Sequence, residues 1–257
     1  MCLLYPNDMT RQGYWFKEID DRVHRLPVDA PYKTFFQSVT KTQLPFLAIR
    51  VPVLNKLVRE GFSFYSKTDK EILQIWNAVW NQASLHDTMS LPLIYYRWKL
   101  SALTPAHFRV FTSWMEHIEN WAHADQLCQL LSILYERYPK LVEPTLQQWN
   151  RSKNPWKRRA SVVSTIYYAS KKRTPPSRQR VLSLIQPLLR DPDHYVQKGV
   201  GWQLREAYKL WPREILRFLE SHVIELPAIT FSYATEKLTK KDKQRLKLQR
   251  ALWRKIP

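Results

Sequence analysis

Apolar residues recur at i, i+3, i+4 and i+7 in one segment of this chain after another. Examples are "DKEILQIWNAVW", "PAHFRVFTSWMEHIENW", "DQLCQLLSILYERYP", "PWKRRASVVSTIYYAS", "HYVQKGVGWQLREAYKLWP" and "PREILRFLESHV". That period places the apolar side chains on one helical face, and short Pro, Asn and Asp punctuation breaks the segments. No pair of alternating segments suggests strands. Only four glycines occur in 257 residues, too few for the tight turns of an all-β chain. The 17 prolines cluster between periodic segments, where they separate helices. The chain therefore reads as all-α. Its 44% apolar and 13% aromatic content excludes a disordered chain and can fill a sizeable core.

The helices also echo one another. "NPWKRRASVVS" and "DHYVQKGVGWQ" share a pattern of aromatic, two residues, basic, small, so that Trp156, Arg159 and Ala160 correspond to Tyr195, Lys198 and Gly199. The interval of 39 residues is close to the period of about 40–47 in HEAT-type helical pairs. Stacked pairs predict a curved right-handed solenoid with one concave, basic wall. No internal linker stands out. Residues 1–257 read as one domain, with residues 1–30 a less defined extension and residues 239–257 a basic tail.

Lysine and arginine outnumber aspartate and glutamate by 41 to 22, which points to a polyanionic partner, nucleic acid before an acidic membrane. From Pro144 to Arg190 there are eleven basic residues and no acid, including Lys157, Arg158 and Arg159. The last 21 residues hold nine basic residues and one acid, a pattern more often a solvated helix than a binding element. The central block, inside a folded repeat, is the better candidate surface. No uncharged run reaches the ~18 residues of a membrane span, and "MCLLYP" is too short for a signal peptide. Cys2 and Cys128 provide neither a disulfide framework nor a zinc set, so a reducing cytoplasm is expected.

Within "ENWAHADQLC", Trp121 and Asp125 stand four residues apart, one turn on a helical face. Asp125 belongs to an apolar stripe with Trp114, Ile118, Trp121 and Cys128. A carboxylate there must be solvated, paired or used. Directly preceding "QLCQLLSILYERY", it reads as an N-cap, and equally as a carboxylate held for chemistry; the two are compatible. Trp76, Trp80 and Trp211 are assigned to the core. Trp202 follows "KGVG", where two helical glycines allow close approach either of another helix or of a ligand. Nucleotide-binding, zinc-protease and serine-hydrolase motifs are absent, and His117 and His123 lack the partners of a metal site, so neither metal nor cofactor is expected.

Taken in order, "LPFLAIRVPVLNKLVRE", "NWAHAD", "NPWKRRASVVS" and "YVQKGVGWQLREAYKLWP" resemble the AlkD-like family of DNA alkylation repair glycosylases, built from HEAT-like repeats, over residues 30 to 240. The resemblance implies that Asp125 is the catalytic carboxylate, Trp121 and Trp202 the cleft tryptophans, and Arg159 the cleft arginine. It places Arg50 at a DNA-contacting position; independently of the resemblance, "WKRRA" and "VQKG" offer Lys157, Arg158 and Lys198 as further phosphate-binding cations. Ala48 departs from a position commonly glycine in the family, and Gly199 from one commonly alanine. The implied activity is hydrolysis of the N-glycosidic bond of cationic N3- or N7-alkylated purines in duplex DNA. It would be carried out by a monomer of the bacterial cytoplasm, without a base-binding pocket. The competing reading is a non-catalytic HEAT-like module that only binds nucleic acid.

Overall fold

The computed structural model describes residues 6–166 and 173–253, with the backbone alone for 6–12. It is helical throughout, with no strand among the described residues. The chain divides into two compact units, residues 1–130 and 131–257.

The first unit holds α1 (Pro6–His24), α2 (Ala30–Thr40), α3 (Val51–Glu60), α4 (Asp69–Gln82), α5 (His86–Trp98), α6 (Pro105–Trp114) and the start of α7 (Trp121–Arg137). Local chemistry explains most of the starts. Asp29 caps α2 through the Tyr32 amide, and Thr68 and Glu71 form a reciprocal capping box on α4. Pro105 opens α6 at a position where its missing N–H costs nothing. The unit is organised by buried aromatic rings. Trp80 and Trp114 stack at 4.8 Å, Phe111 packs on Trp114 at 5.0 Å and Phe64 on Trp76 at 5.2 Å, all fully buried. Helix α1 belongs to this core: Ile19 and Val23 are fully buried, and Glu18 accepts from the Ser63 amide.

The second unit contains α8 (Pro139–Asn150), α9 (Pro155–Val163), α10 (Arg178–Ile185), α11 (His194–Leu210), α12 (Pro212–His222), α13 (Ala228–Ala234) and α14 (Lys240–Trp253). Here the echo in the sequence becomes visible. Helix α11 lies between α9 and α13, and α8 pairs with α9 as α12 does with α11. The echoed rings of Trp156 and Tyr195 meet at 4.9 Å. Asn150 braces the stack by donating to both Ser161 Oγ and the Leu184 carbonyl. Gly201 explains the close approach of α11 to α13: a Cβ there would lie 2.7 Å from Tyr233 Cβ and 2.8 Å from the Thr230 carbonyl oxygen. Of the two meanings open for this glycine, helix packing is the one realised. The basic tail is helix α14, docked by Arg250, which donates to the carbonyls of Val223 and Leu226. Trp76 and Trp80 are core as expected, whereas Trp211 is only half-buried.

Candidate active site

The segment read as one helix through Trp121 is broken. Helix α6 ends at Trp114, a single 3-10 turn covers Met115–His117, and a new helix begins at Trp121. Asn120 caps that helix, its side-chain oxygen accepting from the His123 amide at 2.9 Å. Asp125 is therefore the fifth residue of α7 and cannot be its N-cap, so capping does not account for the carboxylate. The break also removes Trp114 and Ile118 from a shared helical stripe with Asp125.

Trp121 and Asp125 remain one turn apart, both half-buried. The indole is held by its Nε1–H, which donates to the Val39 carbonyl of α2 at 2.9 Å. Behind the pair, His123 is fully buried and stacks on His86 at 4.0 Å, and a contact between the His123 ring and Ser90 Oγ at 3.0 Å ties α7 to α5. Burial holds His86 neutral, its pKa pushed down to about 4, and holds His123 well below the ordinary histidine value. On the exposed side, Trp121 and Asp125 line a cavity of about 490 Å³ walled by α2, α3 and α5, with Tyr32, Phe36, Phe46 and Ile94 among its lining. No pocket signature in the sequence announced it.

The loop closing this cavity carries its own constraint. Ala48 has φ of +67°, in the left-handed region that favours glycine, at the position where the resemblance leads one to expect glycine. Asp87, buried at the start of α5, holds the loop by accepting from the Leu47 and Ile49 amides on either side of Ala48 at 2.8 and 3.1 Å. Burial pushes the Asp87 carboxyl above its ordinary value despite these two donors. Arg50 follows directly. Its guanidinium pairs with Asp29 at 2.8 Å and lies 4.7 Å above the Tyr32 ring, with 54% of the side chain exposed. Sequence reading missed Asp87 and the pairing of His123 with His86, which stands 37 residues away.

In the second unit, Arg159 is 4% exposed and donates to the Tyr195 carbonyl at 2.6 Å. Gly199 makes room for it: a Cβ at that position would lie 3.2 Å from the Arg159 side chain. Lys198 sits 5.8 Å from the centre of the Tyr195 ring, and Trp202, on the next turn of α11, is half-exposed, as is Lys157. The structure thus groups Arg159 with Lys198 and Tyr195 in this unit, and Trp121 with Asp125 in the other.

The acid-free block is not the uniform cationic surface that its sequence suggests. Acids outside the segment pair with five of its arginines: Asp191 with Arg158, Glu136 with Arg173, Glu214 with Arg178, Glu143 with Arg180 and Glu225 with Arg190. Arg158 is the most committed. It forks onto both oxygens of Asp191 and donates to the carbonyls of Ser152 and Lys153. Its guanidinium is a brace within the unit. Among the described residues no cluster of side chains could hold a metal ion, and no helix is long and apolar enough to cross a membrane.

Against known proteins, the model of a DNA alkylation repair enzyme family matches residues 28–238. The chain belongs to this family. No curated protein sequence matches it. Among solved structures it is similar to a predicted DNA alkylation repair enzyme from Enterococcus faecalis, at 14% identity and a TM-score of 0.70, covering 84% of this chain and 99% of that one. It is also similar to AlkD2 from Streptococcus mutans, at 16% identity and a TM-score of 0.59 over 89% of this chain and 99% of that one. A third neighbour is the alkylpurine DNA glycosylase AlkC of Pseudomonas fluorescens, bound to DNA containing an abasic site analogue. It aligns at 13% identity and a TM-score of 0.51 over 93% of this chain and 66% of that one. At these identities the likeness is one of fold.

Proposed function

We propose that the protein is a DNA glycosylase that releases cationic N3- or N7-alkylated purines from duplex DNA, with Asp125 as its catalytic carboxylate. The observation carrying this reading is the Trp121–Asp125 pair: Asp125 is the fifth residue of α7, beyond its Asn120 cap, and sits on the wall of a cavity beside an indole fixed by a hydrogen bond. Family membership and the net charge of +19 support duplex DNA as the partner.

One carboxylate suffices for this chemistry. The alkylated purine already carries a positive charge, so it leaves without the general acid that glycoside hydrolases ordinarily need. The C1′–N bond breaks and its electron pair neutralises the purine. The sugar passes through an oxocarbenium-like state, and a water oxygen bonds to C1′ while its proton is released. Asp125 would stabilise the sugar cation and orient that water, and the faces of Trp121 and Trp202 would attract the cationic nucleotide. Lys157, Lys198 and Arg50 would hold phosphates, whereas the positions of Arg158, forked onto Asp191, and of Arg159, 4% exposed and donating to the Tyr195 carbonyl, support bracing roles instead.

The test is release of 7-methylguanine from methylated duplex by the parent and by Asp125→Asn. Loss of one electrostatic group of this kind costs about 10²–10³ in rate. The variant should melt like the parent, bind duplex at least as well, and excise at least a hundredfold more slowly. Equal rates would remove Asp125 from the chemistry. A parent that binds duplex but releases no base would leave only a nucleic-acid-binding module.

A further inference from the structure

Two helices that wall the cavity, α3 and α5, continue past it as a basic surface. Arg97 lines the cavity together with Asp125 and donates to Asn55 Oδ1 at 3.1 Å. The same oxygen accepts from the Trp98 Nε1–H at 3.3 Å, and Asn55 Nδ2 donates in turn to the Val51 carbonyl. Arg59, one turn further along α3, lies 4.3 Å above the Trp98 ring. A continuous strip thus runs from the cavity through Arg97, Asn55 and Trp98 to Arg59.

Two features of this strip point to an anion outside the protein. The first is what holds its cations. Carboxylates claim five arginines of the acid-free block, whereas Arg59 and Arg97 pair with no carboxylate among the described residues. An aspartate at position 55 would serve both donors and cancel one charge; asparagine orients Arg97 and leaves it positive. Stacking engages the face of the Arg59 guanidinium, so its N–H edge can still make a bidentate contact. The acids of the two helices are committed elsewhere: Asp87 is buried against the Leu47 and Ile49 amides, and Glu60 pairs with Arg22. The second feature is Trp98, 46% exposed and yet fixed by a hydrogen bond. An indole left in solvent adds little to the core; here it is the platform that orients Arg59.

We propose that this strip binds the phosphate backbone of the duplex on one side of the lesion, so that α3 and α5 hold the flanking DNA while Trp121 and Asp125 face the damaged nucleotide. The 10 residues of α3 rise about 15 Å, the length of about four nucleotides along a duplex axis, so the contact reaches phosphates about four base pairs from the damaged sugar. The inference rests on the reading above that the partner is duplex DNA, and it gives that partner a second footprint on the first unit.

The affinity of the full chain for a duplex carrying a central abasic-site analogue would be measured against salt, a readout independent of base release. Arg59→Ala and Arg97→Ala strand no carboxylate and should melt close to the parent, and each should lower the logarithmic slope by ~0.9. Asn55→Asp, which brings a carboxylate to Arg97, should lower it by a similar amount. Arg109→Ala removes the same charge from an exposed position on α6 and should keep the parental slope. Cutting the duplex about three base pairs from the analogue on one side should weaken the parent about tenfold, and the double variant Arg59→Ala, Arg97→Ala by less than about threefold. Parental slopes in both arginine variants, an equal loss of slope in Arg109→Ala, or a parent indifferent to truncation on either side would each overturn the proposal. A parent that binds duplex through this strip but releases no base would overturn the glycosylase reading alone. A parent that releases base while both arginine variants keep its slope would overturn only the strip.

Discussion

Replacing Arg158 by alanine separates the brace from the phosphate contact. The guanidinium makes a forked pair with Asp191 at 2.7 and 3.1 Å and reaches the Ser152 and Lys153 carbonyls at 2.9 and 3.0 Å. The Asp191 side chain is only 5% exposed, so alanine at 158 would strand a nearly buried carboxylate. Breaking a fully buried pair from one side costs about 3–5 kcal/mol. The Arg158 side chain is 16% exposed, and Asp191 keeps a bond from the Asp193 amide, so the working value is about 2–4 kcal/mol. At about 2–4 °C per kcal/mol for a chain of this size, Tm should fall by about 5–15 °C. Arg158→Lys should recover only part of this, because an ammonium cannot fork.

Thermal melting followed by circular dichroism gives the first readout. The second is duplex affinity as a function of salt, whose logarithmic slope falls by ~0.9 for each phosphate contact removed. For Arg158→Ala the slope should stay at the parental value once measured below the variant's melting range. Arg151 and Lys153, exposed in the turn before α9, serve as comparators, and their alanine variants should melt normally and lower the slope. An Arg158→Ala protein that melts within 1 °C of the parent and loses about one unit of slope would refute the bracing argument.

Asp87→Asn keeps the shape of the side chain but turns one acceptor into a donor facing the Leu47 or Ile49 amide. Urea denaturation should show a loss of about 1–3 kcal/mol, the cost of one orphaned buried N–H. The two α11 glycines should respond unequally. Gly201→Ala drives a methyl into the α13 backbone and should cost about 1–3 kcal/mol. Gly199→Ala presses at 3.2 Å on the buried Arg159 and Val163 side chains, which offsets a helix-propensity gain of up to about 1 kcal/mol, so it should cost less than Gly201→Ala. The buried histidines set the acid limit. Their folded pKa values are depressed, so the stability they contribute is present above pH 6.5 and is lost as pH falls towards about 4. Denaturation midpoints should drop across that window, by less in His86→Gln than in the parent.

The helices were legible because periodicity is a local property, carried within a dozen residues. The break before α7 was not, because "MEHIENW" contains no proline or glycine and its residues tolerate a helix. Only the Asn120 side chain, competing for the His123 amide, marks the restart. Without that restart, Asp125 looked like a cap. The Trp121–Asp125 spacing itself was readable, being one helical turn, whereas the cavity beside it is assembled from α2, α3, α5 and α7 and has no sequence-local trace. The charge block shows the same limit more sharply. Arg158 finds Asp191 at a separation of 33 residues, Arg178 finds Glu214 at 36 and Arg173 finds Glu136 at 37. Those separations are close to the 39-residue echo between α9 and α11. In stacked helical pairs, the residues facing a side chain lie about one repeat away in sequence. An acid-free run of 47 residues is therefore longer than one repeat and can still be neutralised from both flanks. Counted along the chain, Arg158 looked like part of a phosphate-binding surface; counted one repeat away, it already had its carboxylate.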